Sequence, residues 1–241
     1  MTASGYPRIV KVWRRGKPLA AASALFEGRS TDVAVRSFVD QNGGAQPFVV
    51  RAVSFFEAEY HYAPGLGTPA KLPLPLHSNI EGVLDGRAIF TLREAWDYQG
   101  KTYPQGSIVA YDLQRGTAEP VFAANGTQSV ETVAVGRTGL VVQYLEDVSG
   151  KAVRVLRTPQ GEWRTTPIAL PANGVLKIAS AGGGTDDAML SFESLTSPLT
   201  LYHVSAGDAI DPIYTTPAAY DATDVVVEQR FATSTDGTKI P

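Results

Sequence analysis

The sequence predicts an all-β fold, and three observations carry that expectation. Short runs rich in Val, Ile, Tyr and Phe alternate with clusters of Gly, Pro, Asn and Asp along nearly the whole chain. Helical periodicity is scarce. Similar short segments also return at a near-constant interval: ALFEG around Leu25, AKLPLP around Leu72, EPVFA around Val121, TPIAL around Ile168 and DPIYT around Ile213, separated by 47, 49, 47 and 45 residues. That period matches the roughly 40–50 residues of a four-stranded propeller blade, a unit that needs neighbours to bury its faces.

Each interval divides into four strands, with the recurring segment as the fourth. The first set is DVAVRSFVD (32–40), PFVVRAVSFF (47–56), EAEYHYA (57–63) and AKLPLPL (70–76), and the second is IEGVLDG (80–86), RAIFTLREAW (87–96), GSIVAYDL (106–113) and EPVFA (119–123). The third is VETVAVG (130–136), GLVVQYLED (139–147), AVRVLRT (152–158) and WRTTPIAL (163–170); the fourth is GVLKIAS (174–180), AMLSFES (188–194), TLYHVSA (200–206) and DPIYTTP (211–217). Reversals are expected at Asn42-Gly43, Asp85-Gly86, Ser149-Gly150, Asn173-Gly174 and Gly182-Gly183-Gly184, whose residues tolerate positive φ. Two strands remain in front, PRIVKVWRRG (7–16) and SALFEG (23–28), and one behind, TDVVVEQRFAT (223–233), before a short TKIP. These leftovers read as pieces of a composite fifth blade, because an open arc would expose strand edges and apolar faces.

A chain of 241 residues buries about 70 per cent or more of its unfolded surface, so a sizeable core is expected. The formal net charge of -3 is too small to point to nucleic acid or an anionic membrane. With no cysteine, disulfides, thiolate metal sites and cysteine nucleophiles are excluded together. Cysteine-free composition fits the cytoplasm and a periplasm equally, and no apolar run reaches the roughly 18 residues of a membrane helix. A soluble protein of open compartment, without membrane or nucleic-acid partner, is expected.

Candidate chemistry is sparse. His61, His77 and His203 are scattered without metal-ligand spacing, so no metal and no cofactor are expected. Glu57 and Glu59, two apart on one strand, would project to one face, as paired acid and base groups require, but a solvated strand face is the plainer reading. GGGTDD at 182–187 superficially resembles a phosphate cradle, yet lacks the Gly-Lys-Ser/Thr ending and a following helix; Asp186-Asp187 reads as a turn. Lys11, Arg14, Arg15 and Lys17 interleave with Val12 and Trp13, which reads as an edge strand guarded by charge rather than a nucleic-acid groove. No Gly-x-Ser-x-Gly elbow is present, so no catalytic residue is assigned.

Several stretches together resemble the prolyl oligopeptidase (prolyl endopeptidase) family of serine peptidases, particularly its bacterial members. They are SGYPRIVKVWRRGKPL (4–19), KLPLPLHSNIEG (71–82), LREAW followed by YPQGSIVAYDL (103–113), SFESLTSPLTLYHV (191–204) and YDATDVVVEQRFATSTDGTKIP (220–241). The resemblance implies a β-propeller joined to an α/β-hydrolase domain that carries a Ser-Asp-His triad, with the propeller lying over the active site. It places this chain in only the C-terminal part of that propeller, with Ser4 already partway into it and the triad beyond Pro241. It also implies a partial propeller over 1–230, with blades at about 32–76, 80–123, 130–170 and 174–217, and a linker over 231–241 leading to the hydrolase.

The expectation is a domain that is not an enzyme by itself. In its parent it would gate short proline-containing peptides, with the hydrolase domain and oligopeptide substrate as partners, and exposed blade edges would permit self-association. A free-standing propeller that binds peptide or protein is the alternative. An enzyme using an unrecognised carboxylate or histidine site is a third reading.

Overall fold

The computed structural model describes residues 1–42 and 44–241, and its regular structure is all β apart from short 3-10 turns at Leu19–Ala21 and Pro64–Leu66. No helix among the described residues is long and apolar enough to cross a membrane. The chain divides into two compact units, Met1–Ala123 and Ala124–Pro241.

The first unit opens with a two-stranded antiparallel sheet, β1 (Ile9–Val12) against β2 (Ser23–Glu27). A four-stranded antiparallel sheet follows in simple chain order: β3 (Ala34–Asp40), β4 (Gln46–Ala52), β5 (Ala58–Tyr62) and β6 (Ala70–Lys71). The next sheet holds β7 (Ser78–Leu84) and β8 (Arg87–Leu92), then, after an inserted hairpin of β9 (Trp96–Tyr98) and β10 (Lys101–Tyr103), β11 (Ile108–Asp112) and β12 (Ala118–Phe122). The two large sheets share one core. Phe48, Val50 and Tyr60 from one meet Val83, Phe90 and Val109 from the other. Tyr60 and Phe90 pack edge to face with ring centroids 5.2 Å apart, a favoured aromatic geometry. Polar ties cross the same seam: the Tyr60 hydroxyl donates to the Ser78 carbonyl at 2.8 Å, and the Val83 amide donates to Asp40 Oδ2 at 3.0 Å.

The second unit repeats the plan twice. One sheet runs β13 (Gln128–Val135), β14 (Gly139–Glu146), β15 (Ser149–Arg157) and β16 (Trp163–Pro167); the other runs β17 (Val175–Ala181), β18 (Ala188–Glu193), β19 (Thr200–Val204) and β20 (Ile210–Thr215). Val141, Ala152 and Ile168 from the first pack against Leu176, Leu190, Phe192 and Val204 from the second. The unit ends in a short hairpin, β21 (Ala232–Thr233) against β22 (Lys239–Ile240).

The four expected sets of strands thus form four antiparallel sheets, and two local features explain their regularity. The recurring segment marks the fourth strand of each sheet and carries proline: Pro73 and Pro75 directly after β6, Pro120 in β12, Pro167 in β16 and Pro212 in β20. Proline has no N–H to give a further strand, so it belongs on an edge and discourages another chain from adding there. Three of the four first strands also carry a bulge at the same place, opposite Phe90 and Ile89 for β7, Tyr144 and Gln143 for β13, and Leu190 and Met189 for β17. The extra residues are Glu81, Glu131 and Ala179.

Several expectations need correction. Residues 223–231 form no strand; only Ala232–Thr233 of that stretch pairs, and its partner is the local Lys239–Ile240. Each leftover end forms its own two-stranded sheet, β1 with β2 and β21 with β22. The turn expected at Ser149-Gly150 lies at Asp147-Val148, both at positive φ (46° and 62°), while Ser149 and Gly150 open β15. Gly150 is required for a different reason: a Cβ there would come within 2.7 Å of the Leu176 amide nitrogen on the next sheet. Asp85-Gly86, Asn173 and Gly182-Gly183-Gly184 take the expected positive φ, whereas the Asn42-Gly43 turn includes Gly43, which lies outside the described residues. The expected strand 87–96 stops at Leu92, and Trp96 instead opens the β9–β10 hairpin. Its Gln99-Gly100 turn has both φ values positive, and its alternating Trp96, Tyr98 and Tyr103 fold back onto the core.

Candidate functional site

The strongest concentration of buried charge is built on β4 and β5. Arg51 interrupts the apolar run of β4, so its side chain enters the interior and must be neutralised there. Its Nε and Nη2 donate to Asp32 Oδ2 and Oδ1 at 2.8 and 2.7 Å, a two-point grip, and Nη1 donates to Glu59 Oε2 at 2.9 Å. The Arg29 amide adds a bond to Asp32 Oδ2 at 2.6 Å, and Lys71 Nζ binds Glu59 Oε1 at 2.8 Å. Hydrogen bonding from Arg51 holds the Asp32 carboxyl below its ordinary range despite burial. Burial pushes the Glu59 carboxyl up, but the bonds from Lys71 and Arg51 outweigh it and bring it to about 2. Every oxygen and nitrogen charge in this cluster is spent on its neighbours.

The predicted candidates fall into this and similar pairings. Glu57 and Glu59 do not form an acid-base pair: Glu59 is held by Arg51 and Lys71, while Glu57 precedes β5 and lies 3.9 Å from His77 Nε2. His61 is buried, its ring tilted against Phe26 with centroids 4.6 Å apart; burial pushes its imidazole down, against the pull of Glu59. His77 is half exposed, with Nδ1 3.4 Å from Glu94 Oε2. His203 Nε2 is 3.3 Å from Asp187 Oδ2, whose carboxyl is lowered by a bond from the Ala206 amide and by His203. No serine or threonine hydroxyl among the described residues bonds to a histidine ring, so none of these pairs activates a nucleophile. No group of three His, Asp or Glu side chains among the described residues is arranged to hold a metal ion.

GGGTDD is structural glue. Thr138 binds Asp186 through its amide and its hydroxyl, both at 2.8 Å, and Arg137 Nε donates to the Gly184 carbonyl at 3.1 Å, so the loop clasps the turn between β13 and β14. The basic stretch is placed differently from the edge-guard reading. Only Lys11 and Val12 lie in β1, while Trp13, Arg14, Arg15 and Lys17 occupy the connection to β2.

Sequence reasoning missed three features. Arg154 on β15 is buried and donates to Asp208 Oδ1 at 2.6 Å and to the carbonyls of Asp186 and Ser205 at 2.7 Å each, a second internal clasp. The signal was available: Arg51 follows Phe48-Val49-Val50, and Arg154 sits between Ala152-Val153 and Val155-Leu156. Glu81, the extra residue of the β7 bulge, is the carboxyl that burial pushes up, partly offset by Thr91 and Arg93. Phe55 and Phe56, expected to extend a strand, stand instead at the tip of the β4–β5 connection with 83% and 87% of their surface exposed.

The pattern is a scaffold with its charge consumed internally and with apolar loop tips on its surface. Residues 2–215 match the model of the family described as prolyl oligopeptidase, N-terminal beta-propeller domain. The chain belongs to the prolyl oligopeptidase family. The match also corrects the placement within that family. It runs over nearly the whole N-terminal propeller domain, not only the C-terminal part of it. Near-equivalent blades explain the error, since a short motif that fits one blade fits its neighbours and cannot fix which blade it occupies.

Relatives agree on this assignment. An uncharacterized peptidase of Sinorhizobium fredii is 32% identical over the full chain, and one of Rickettsia prowazekii is 22% identical over the same span. The chain spans 35% of the length of each. Among solved structures, a post-proline cleaving enzyme from Rickettsia typhi superposes with a TM-score of 0.81 at 20% identity, over 99% of this chain and 37% of that one. Oligopeptidase B from Trypanosoma brucei gives 0.67 at 12% identity, over 96% and 34%. At these identities the structural likeness speaks for the fold alone. In this prolyl oligopeptidase family chain, the 241 residues hold propeller and none of the catalytic domain.

Proposed function

We propose that this domain covers the active site of a proline-cleaving serine peptidase and restricts access to short proline-containing peptides. The carrying observation is the match of residues 2–215 to the family's propeller domain. In it, the buried Arg51 and Arg154 and the partly buried Glu59 are engaged in structural pairs. Acyl transfer needs a positioned nucleophile, a base and an oxyanion hole, and these residues supply none. A shell of this kind acts by excluding water and large substrates from a neighbouring centre, which requires shape and no titratable group. The exposed Phe55 and Phe56 suit a surface that a catalytic domain covers, and residues 231–241 would begin the passage into it.

The isolated chain is expected to leave a fluorogenic proline peptide uncut. Turnover that a serine-directed inhibitor abolishes would overturn the assignment. Reading the gene past the codon for Pro241 separates the alternatives: an open frame reaching Gly-x-Ser-x-Gly supports a parent peptidase, and a stop codon there favours a free-standing peptide-binding propeller. In the full-length peptidase, a short proline peptide should be cleaved and a folded or much longer chain with the same site spared. Equal turnover of both would remove the gating role.

A further inference from the structure

The connection between β1 and β2 carries a concentration of charge that neither the core nor the gating role uses. Residues 7–26 hold five cations, Arg8, Lys11, Arg14, Arg15 and Lys17, and no Asp or Glu, in a chain whose 24 acids outnumber its 21 cations. Arg8 is neutralised by Glu27 at 2.8 Å. The other four have no ion-pair partner among the described residues. Glu27 is too far along the hairpin to serve Arg14, Arg15 and Lys17. It pairs with Ile9 at the far end of the hairpin, three residues from Val12, which is about 10 Å of strand and beyond the screening length of about 8 Å in physiological salt.

The tip is also built rather than loose. The Trp13 indole N–H donates to the Lys17 carbonyl at 2.8 Å, and the Lys17 amide returns to the Arg14 carbonyl at 3.2 Å. Gly16, at φ +81°, supplies the backbone conformation that the turn needs. The bonds fix an indole that is 48% exposed beside three cations, and Leu19, 78% exposed, follows one turn later. A rigid aromatic face with flanking guanidinium groups costs little ordering on binding and pairs with carboxylates at its rim.

We propose that this tip, Trp13 to Leu19 with Lys11, is a docking site for an acidic peptide segment that also carries an apolar side chain. Arg14, Arg15, Lys17 and Lys11 take the carboxylates, and Trp13 with Leu19 takes the apolar group. Nucleic acid fits less well. The patch is one hairpin tip wide, and the excess of acids over cations elsewhere repels a long polyanion with a charge about every 1.7 Å.

The test is fluorescence anisotropy of a labelled decapeptide of Glu and Leu, titrated with the 241-residue chain at low salt. Binding is expected to weaken at least about tenfold in the double variant Arg14→Glu/Arg15→Glu and again when salt rises to about 0.5 M. Arg230→Glu, an exposed cation elsewhere, should leave it unchanged. All three positions are exposed, and an unaltered thermal midpoint confirms that each variant folds. Trp13→Ala, which keeps every charge, should weaken binding without changing its salt dependence. Absence of binding, equal affinity in the double variant, or tighter binding of a labelled duplex DNA than of the peptide overturns the proposal.

Discussion

Ile89 and Met189 occupy the same place in two sheets of the same topology. Each is the second-strand residue paired just after the first-strand bulge, opposite Gly82 in one case and Ser180 in the other. Their surroundings differ. Ile89 is fully buried in β8, whose six residues are all buried on both faces. Met189 is half buried in β18, where Ala188, Leu190 and Phe192 face the core and the alternate residues do not. Outward from β18 the contrast widens, since β20 is exposed along nearly its whole length while its counterpart β12 buries Val121. One blade plan therefore serves under double cover and under single cover, and the residues adjust: a continuous apolar run where both faces are covered, alternation where one is.

Double cover brings a constraint that single cover lacks, and the largest expected effect tests it. Arg51 lies in β4, where six of the seven residues are buried, so Arg51→Met leaves Asp32 without its cation and Glu59 with Lys71 alone, and should cost about 3–5 kcal/mol in urea unfolding. A loss under 1 kcal/mol would show that water reaches the cluster and would end the claim of full cover. The same cluster predicts an acid limit. Glu59 has a folded value of about 2 against an ordinary 4.5, so its contribution is complete above about pH 4.5 and is lost as pH falls toward 2. Glu59→Gln should therefore flatten the fall in stability over that window.

Next in size is the direct comparison. Ile89→Ala should destabilise by about 2–5 kcal/mol and Met189→Ala by about 1 or less, read as shifts in the denaturation midpoint. Equal losses would mean that the exposed face of β18 is covered in solution. The smallest effect concerns a turn in the second unit. Val148 is β-branched yet held at φ 62°, so Val148→Gly should raise stability by about 1 kcal/mol, measured by the same unfolding assay. A loss would show that the valine side chain is worth more than the strain.

Much of this architecture was legible in particular residues. The period carried by Leu72, Val121, Ile168 and Ile213 located the fourth strands, and proline beside each explains why that position repeats: an edge that must refuse another strand keeps the residue that cannot donate. Apolar runs located every inner strand, though the expected ends of β4 and β8 overshot by four residues each. The turn at Asp147-Val148 was hidden, because a β-branched residue at positive φ contradicts local preference and is tolerated only where eight paired residues on each flank fix the register. The stretch 223–231 misled in the opposite direction. Val225, Val226 and Val227 have the composition of a strand, but a strand also needs a partner at the right distance, and none pairs with them among the described residues.

The candidate site was less legible than the fold. The sequence places Glu59 on a solvated strand face, with an acid pair as the alternative. Its role became visible only when Arg51 and Lys71, 8 and 12 residues away, were seen on the adjacent strands. Phe55 and Phe56 looked like more strand, and Trp13 to Lys17 looked like an edge. Both are loop tips, because the ladders stop at Ala52 and Val12.

By itself the sequence determined the all-β class, the blade period, the four sets of strands and the absence of cysteine chemistry. These are properties of local pattern, since alternation, turn residues and proline act within a few positions of one another. Tertiary structure decided which carboxylates meet which cations, which faces are doubly covered and which aromatic residues are left outside. Those depend on side chains brought together across strands and sheets, where the interior's low dielectric makes pairing obligatory for Arg51 and Arg154 while the solvent outside leaves Arg14 and Arg15 free to meet another molecule.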